Sequence, residues 1–316
     1  MQIRTRPSTP NDFARIVEII NSQEREPTTL ESFQRSESMR PADMPHFRLV
    51  AENDDGVLVG TGAGFHAPEH PAGVYGARVR VDKPYRRQGV ATQLYRQLED
   101  WAVSQGARRI ESTVREGEAD AMHWIERMGW QKEHHLFEST LQLTDWEPPA
   151  DLLAVLRKAE AGGVRFAHLP ELVKGEDLFR RYYDFIGVMM KDVPVFGERP
   201  MIAFDLWHKY VTSDPTFDPN NVIIGVDGDA WVALCDLQIM ESGGAYHGLT
   251  AVDRAYRGRG LSTAIKVYGL QYAKAKGVPY VRTNNHSANE RMLAVNRKFG
   301  YTPAPGFYTV AKALQA

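Results

Sequence analysis

Val81-Asp82-Lys83-Pro84-Tyr85-Arg86-Arg87-Gln88-Gly89-Val90-Ala91-Thr92 returns later in the chain as Val252-Asp253-Arg254-Ala255-Tyr256-Arg257-Gly258-Arg259-Gly260-Leu261-Ser262-Thr263. The offset of 171 residues (252 − 81) holds without a gap through Ala102 and Ala273, Gly106 and Gly277, and Gly129 and Gly300. A register kept that long implies two copies of one fold, with the chemistry in the shared segment. Each run reads as strand, Arg/Gly turn, then helix.

Such a turn suits an anion. The backbone N–H groups at a helix start lack partners, and the helix dipole favours negative charge there. Gly89 and Gly260 let the backbone approach a ligand with no Cβ in the way. Arg86, Arg87, Arg257 and Arg259 add charge suited to phosphate, so a pyrophosphate is the expected guest. No Gly-Lys-Ser/Thr follows, which argues against a Walker loop. Three hairpin-like strands precede the turn, which argues against a dinucleotide-binding unit.

The 316 residues suit two domains, and 43 % hydrophobic with 25 % charged content is ordinary for a globular protein. A net charge of −2 speaks against a nucleic-acid or anionic-membrane partner. The single cysteine, Cys235, excludes an internal disulfide framework, and its apolar strand marks it as core. The ten histidines show no ligand spacing, so no metal site is expected. With no secretory signal and no apolar run of the ~18 residues that span a bilayer, a cytoplasmic location is expected. Oligomeric state is not legible.

Hydrophobic periodicity predicts a strand at 3–6, a helix from Phe13, strands at 48–52, 57–65 and 74–81, and a helix at 89–105. A strand at 109–114, a helix at 120–128 and a strand at 136–143 complete the first unit. The second unit repeats the order and ends on a strand at 307–313. The fold class is therefore α/β with mixed sheets, in units 1–145 and 164–316 joined by a linker helix within 146–163. The cluster Tyr182, Tyr183, Phe185, Met189 and Met190 reads as core.

At this point the chain resembles the GCN5-related N-acetyltransferases (GNAT), whose Arg/Gln-x-x-Gly-x-Gly/Ala turn binds the pyrophosphate of acetyl-CoA. Arg86-x-x-Gly89-x-Ala91 matches it, and Arg257-x-x-Gly260-x-Ser262 departs at the last position. The tandem layout is similar to mycothiol synthase and related two-unit acetyltransferases. The resemblance implies acetyl-CoA as co-substrate and a primary amine of a small molecule or peptide as acceptor, by direct transfer in a ternary complex. It also implies cofactor contacts at Val79, Val81, Arg86, Arg87, Gln88, Gly89, Val90, Ala91 and Thr92. In the second unit these become Thr250, Val252, Arg257, Gly258, Arg259, Gly260, Leu261, Ser262 and Thr263, with Asn289 added. The competing reading is an acyl-CoA-binding sensor or scaffold module without turnover.

The family's second signature has an Asn that contacts the pantetheine arm and a Tyr that protonates the leaving thiolate. Asn289 and Asn296 hold these positions in the second unit, Glu118 and Ile125 in the first. The second unit is thus the expected catalyst, with Tyr308 as a substitute proton donor. A thiol's pKa near 8.5 makes it a fair leaving group already. The base expected first is Glu241, followed by Asp236 and His247, with Glu69, His66 and His70 the candidates in unit one.

Overall fold

The computed structural model describes residues 2–24, 27–175, 177–193, 199–240 and 243–314. They fall into two units: residues 1–114, 118–133 and 308–316 form the first, and residues 115–117 and 134–307 the second. The first unit runs β1 (Arg4–Pro7), α1 (Phe13–Asn21), α2 (Leu30–Met39), β2 (His46–Glu52), β3 (Leu58–Phe65), β4 (Val74–Val81), α3 (Val90–Ser104), β5 (Arg109–Arg115) and α4 (Ala119–Arg127). The second begins on β6 (Gln131–Gln142) and continues through α5 (Ala150–Ala161), β7 (Val164–His168), α6 (Leu169–Leu172), α7 (Asp177–Met190) and α8 (Phe204–Ser213). It then repeats the strand–helix series as β8 (Val222–Asp227), β9 (Ala230–Ile239), β10 (Ala245–Val252), α9 (Leu261–Ala275), β11 (Tyr280–His286), α10 (Glu290–Phe299) and β12 (Thr302–Pro303). The last strand, β13 (Phe307–Ala313), lies beside β5 in the first unit.

Both sheets are mixed. In the first, β1 to β4 pair antiparallel and β5 joins β4 in parallel. In the second, β7 to β10 are antiparallel, β11 joins β10 in parallel, and β6 closes the far side of β11. This arrangement corrects the expected boundaries. The strand expected at 136–143 to end the first unit pairs along its length with β11, from Gln142 opposite Tyr280 to Leu136 opposite His286. The strand expected to end the second unit packs Val310 into the first unit's core with Ile110, Val114 and Trp130. The linker helix α5 is likewise part of the second unit, where it packs along α9. The exchange has a simple origin. Ser139 and Val310 are 171 residues apart, so the two closing strands occupy the same place in the repeat and either can complete either sheet. Neither α2 nor α6 is foreseen by the periodicity, because each is short and weakly apolar.

Alternation along the strands gives each sheet two faces. Leu49, Ala51, Val59 and Val81 meet Val90, Leu94 and Leu98 of α3, while Val50 and Leu58 meet Ile16, Val17, Ile19 and Phe33 of α1 and α2. The second unit is built alike: Ala233, Cys235 and Leu237 face α9, and Val222, Ile224 and Leu234 face α6 and α7. Close helix–sheet approach is achieved differently. In the second unit a Cβ at Gly269 of α9 would stand 2.6 Å from the Cys235 sulfur. In the first unit the room comes from the strand, where a Cβ at Gly64 would strike Trp101 at 2.6 Å.

Candidate functional site

Both Arg/Gly turns are formed. Gly89 and Gly260 cap α3 and α9 in the left-handed region, at φ 84° and 80°. Gly258 takes φ 78°, and its counterpart Arg87 takes φ 65°, the only positive φ outside glycine among the described residues. That conformation costs an ordinary residue ~1–2 kcal/mol. It aims successive N–H groups into the concavity ahead of the helix, where an anion would sit. The first arginine of each motif also anchors its loop. Arg86 Nε donates to the Val81 carbonyl (3.3 Å) and Arg257 Nε to that of Val252 (3.1 Å).

Next to each turn the sheet opens. β4 and β5 pair only from Val74 to Gly76, and β10 and β11 only at Ala245 and Tyr246, so the strand ends diverge. Asp82 and Asp253 donate their N–H groups back to Val59 and Val232 on the antiparallel neighbour. Alternation then turns the peptide groups of Val79 and Val81, and of Thr250 and Val252, toward the gap. Those amides can hold an amide-rich ligand arm or polarise a carbonyl.

The two gaps differ in charge. In the first unit Arg86 donates to Glu118 (3.2 Å), Arg87 is ion-paired with Asp120, and Trp124 Nε1 donates to Thr92 Oγ1 (2.9 Å). All three partners lie at or on α4, which is thereby latched across the turn. In the second unit Asn289, the counterpart of Glu118, caps α10 by accepting from the Met292 N–H (3.3 Å). The turn's arginines instead share one carboxylate. Asp192, at the end of α7, accepts from Arg254 Nε (2.9 Å) and also bonds Arg257, and these guanidiniums hold its pKa at about 2. Arg259 stacks over Tyr256 at 4.7 Å. Gly260 has a neighbour that Gly89 lacks: a Cβ there would stand 2.9 Å from Val155 Cγ1 of α5.

Beneath the second unit's gap lies a buried polar chain. Lys266 Nζ donates to Asn296 Oδ1 (2.5 Å), Asn296 Nδ2 to Asn285 Oδ1 (2.6 Å), and Asn285 Nδ2 to Ser139 Oγ (2.9 Å). Burial pushes the Lys266 ammonium down to about 8 and the Cys235 thiol up to about 12. Asn296, at the position of the family's proton-donating Tyr, is therefore a fixed link in this chain. Its amide carries no titratable proton.

Among the expected bases, Asp236 is the acid whose pKa is raised. It shares a face with Leu234, toward α7, where Leu178 and Tyr182 pack. One of its oxygens is buried without a partner, and burial, with Asp214 second, pushes its pKa up to about 6. His247 faces the other way: its ring is buried, bonds Thr250 Oγ1 (2.6 Å) and Cys235 (3.3 Å), and is held neutral by that burial. Glu241 lies outside the described residues. Tyr308 stands in the first unit, with the Lys132 ammonium 5.3 Å over its ring, so it belongs to a different unit from Asn296. Tyr182 and Met189 are core, as expected, while Tyr183 donates to the Ile202 carbonyl (2.6 Å). What the sequence reading missed is the role of Lys266. A lone Lys among Ile265, Val267 and Leu270 on an apolar helix face was its signal.

The acetyltransferase (GNAT) family pattern matches residues 13–130 and 178–301, once in each unit. The chain belongs to the GNAT family. Solved structures show the same tandem fold. A GNAT protein from Sphaerobacter thermophilus superposes with TM-score 0.72 at 18 % identity, covering 99 % of this chain and 96 % of its own. A tandem GNAT protein of the clavulanic acid biosynthesis pathway gives 0.74 at 15 % identity, covering 100 % and 99 %. A fungal GCN5-related glucosamine N-acetyltransferase region, within a multi-domain GH3 beta-N-acetylglucosaminidase, gives 0.73 at 14 %, covering 98 % of this chain and 38 % of that one. No curated protein matches in sequence. Among the described residues no helix is long and apolar enough to cross a membrane, and no acid, His or Cys cluster could hold a metal.

Proposed function

We propose that the second unit is an N-acetyltransferase that moves an acetyl group from acetyl-CoA to a primary amine of a small molecule or peptide. The first unit keeps the fold with its cofactor turn closed. One observation carries this division: Asn289 is neutral where Glu118 is an acid bonded to the turn's own arginine. A phosphate entering the first turn must displace two carboxylates. In the second turn two guanidiniums share one carboxylate, and Arg259 has none among the described residues.

The residues present fit the co-substrate. The glycine-lined turn at Arg257–Thr263 and the dipole of α9 would hold its pyrophosphate, and the amides of Thr250 and Val252 its arm and acyl carbonyl. Acetyl-CoA, when bound, supplies an acyl thioester, which an uncharged amine attacks at the carbonyl carbon. Asp236 takes the proton from the incoming ammonium, and its pKa near 6 leaves it ionised at neutral pH yet basic enough to act. The departing thiolate needs little help, because its pKa is already near 8.5. A cytoplasmic location, where acetyl-CoA is made and used, completes the reading.

Calorimetric titration of acetyl-CoA into the purified chain tests it. One site, lost in Gly260→Ala and kept in Gly89→Ala, supports the assignment, and the reverse pattern overturns it. The absence of the family's Tyr at both Ile125 and Asn296 favours a second reading, in which the unit binds acyl-CoA without turnover. Binding without thiol release on any amine would establish that reading.

A further inference from the structure

The first unit carries a second charged face, on the side of its sheet opposite α3. Residues directly across from one another share a face, and three rows can be read there. His46 lies opposite Phe65 and then Gly76, Arg48 opposite Ala63 and then Arg78, and Val50 opposite Thr61 and then Arg80. Arg48 and Arg78 thus flank a single alanine, with Cα atoms roughly 10 Å apart across two strand spacings. Val50 of the same rows packs on Ile16, Ile19 and Phe33, so this is the face covered by α1 and α2.

Positive charge is in surplus on it. Arg40 and Arg48 share Glu37 (2.6 and 2.8 Å), and Arg80 reaches Glu24 at 3.3 Å. Arg78 has no hydrogen bond or ion pair among the described residues, and its guanidinium stands 5.5 Å over the Phe65 ring. The Arg48 Nε is buried without a partner. Glu24 and Glu69 act on Arg78 only at longer range, so four guanidiniums meet three carboxylates, and His46 adds no charge, because burial and the neighbouring arginines hold it at about 4. Arg78 is open to solvent, yet the surrounding protein lowers its pKa, as it does for Arg48. The Arg78 guanidinium therefore stands at the surface beside the Phe65 ring, with no direct ion pair among the described residues. A guanidinium there has carboxylates only at longer range and its fork unoccupied, so an anion able to take that fork would be held well. In the second unit the counterparts of Arg78 and Arg80 are the apolar Leu249 and Ala251.

We propose that the Arg48–Ala63–Arg78 row of the first unit is a binding site for a small anionic molecule, carrying a carboxylate or a phosphate. The site is independent of acetyl transfer. The first unit is thus a ligand-binding module beside the catalytic one, and its ligand class is opposite in charge to the amine acceptor.

The test needs no acetyl-CoA. Glutarate and inorganic phosphate, each against potassium chloride at equal ionic strength, are titrated into the full chain by calorimetry and followed by thermal melting. Saturable binding is expected with at least one, and which one answers identifies the carboxylate or the phosphate source. Arg78→Gln should weaken it at least tenfold while leaving the melting temperature of the free protein nearly unchanged, since Arg78 is exposed and makes no direct ion pair among the described residues. Arg96→Gln, an exposed change on α3, should leave it unaltered. No saturable binding with either probe, or equal binding by Arg78→Gln, overturns the proposal. A folded but ligand-blind Arg48→Lys would confirm that the fork geometry, beyond the charge, is what binds.

Discussion

Position for position, the two units place opposite chemistry on the same scaffold. Where the second unit has Lys266, Asn296, Asn285 and Ser139 linked in a buried chain, the first has Tyr95, Ile125, Val114 and Val310 in an apolar core. On the other face, Arg78 and Arg80 in the first unit answer to Leu249 and Ala251 in the second, where the half-buried Asp236 carries the acid. A buried polar chain is costly unless every member is satisfied, and an apolar set of similar volume does as well for stability. The second unit carries that cost and the first does not. The difference is what supports the proposal of catalysis in the second unit, because proteins depart from an apolar core chiefly at functional sites.

The largest effect expected from breaking this contrast is at Asp236. Asp236→Asn should lower kcat/KM by about 10²–10⁴ and remove the rise in rate through pH 6, read from a pH–rate profile. Its folded pKa, about 6, lies above the ordinary 3.8, so the native state binds more protons than the unfolded one between these values. Stability therefore falls as pH rises from about 4 to 6 and stays lower above it. The same variant should then melt higher than wild type at pH 7 while being less active. A variant both inactive and less stable would count against Asp236 as the base.

Next comes the cofactor turn. Gly260→Ala should reduce acetyl-CoA affinity by about tenfold or more, because a left-handed residue of ~1 kcal/mol strain now also presses on Val155. Gly89→Ala meets nothing within 4 Å and should cost only that strain, with activity kept, as steady-state kinetics would show.

The buried chain can be dissected by a double-mutant cycle. Asn296→Ile, which copies Ile125, leaves the Lys266 ammonium without its acceptor and should destabilise by ~3 kcal/mol in urea melts. Lys266→Met added to it should recover most of the loss. Lys266 is held near 8, below its ordinary 10.5, so the native state binds fewer protons in that window. Wild-type stability should gain as pH rises from 8 toward 10, and the Lys266→Met protein should lack that gain.

The smallest stability effect is expected in the first turn. Glu118→Asn with Asp120→Asn removes one half-buried and one exposed ion pair near the surface, worth ~0–1 kcal/mol each. Their removal should create a second acetyl-CoA site countable by calorimetry. No second site would mean that something besides the latch closes the first unit.

Much of this was legible in the chain. The 171-residue repeat, the strand–turn–helix of each copy and the glycines at its helix start follow from local backbone preference and hydrophobic period, which a sequence carries residue by residue. The loss of Tyr at Ile125 and Asn296, and of Asn at Glu118, was equally plain. What Glu118 does instead, bonding Arg86, was not, because ion-pair partners are set by which helix end meets which loop.

Tertiary structure alone decided three things. It assigned the closing strands at 131–142 and 307–313 to opposite units from those expected, since repeat-equivalent strands carry the same pattern and fit either sheet. It set Asp236 and His247 on opposite faces of the sheet, Asp236 toward α7 and His247 against Cys235, because one residue's difference in strand register reverses the face. And it joined Lys266, Asn296, Asn285 and Ser139, four residues from four elements, by hydrogen bonds that no spacing in the chain encodes. Local order is written along the chain, whereas the meeting of distant side chains depends on the packing that brings their elements together.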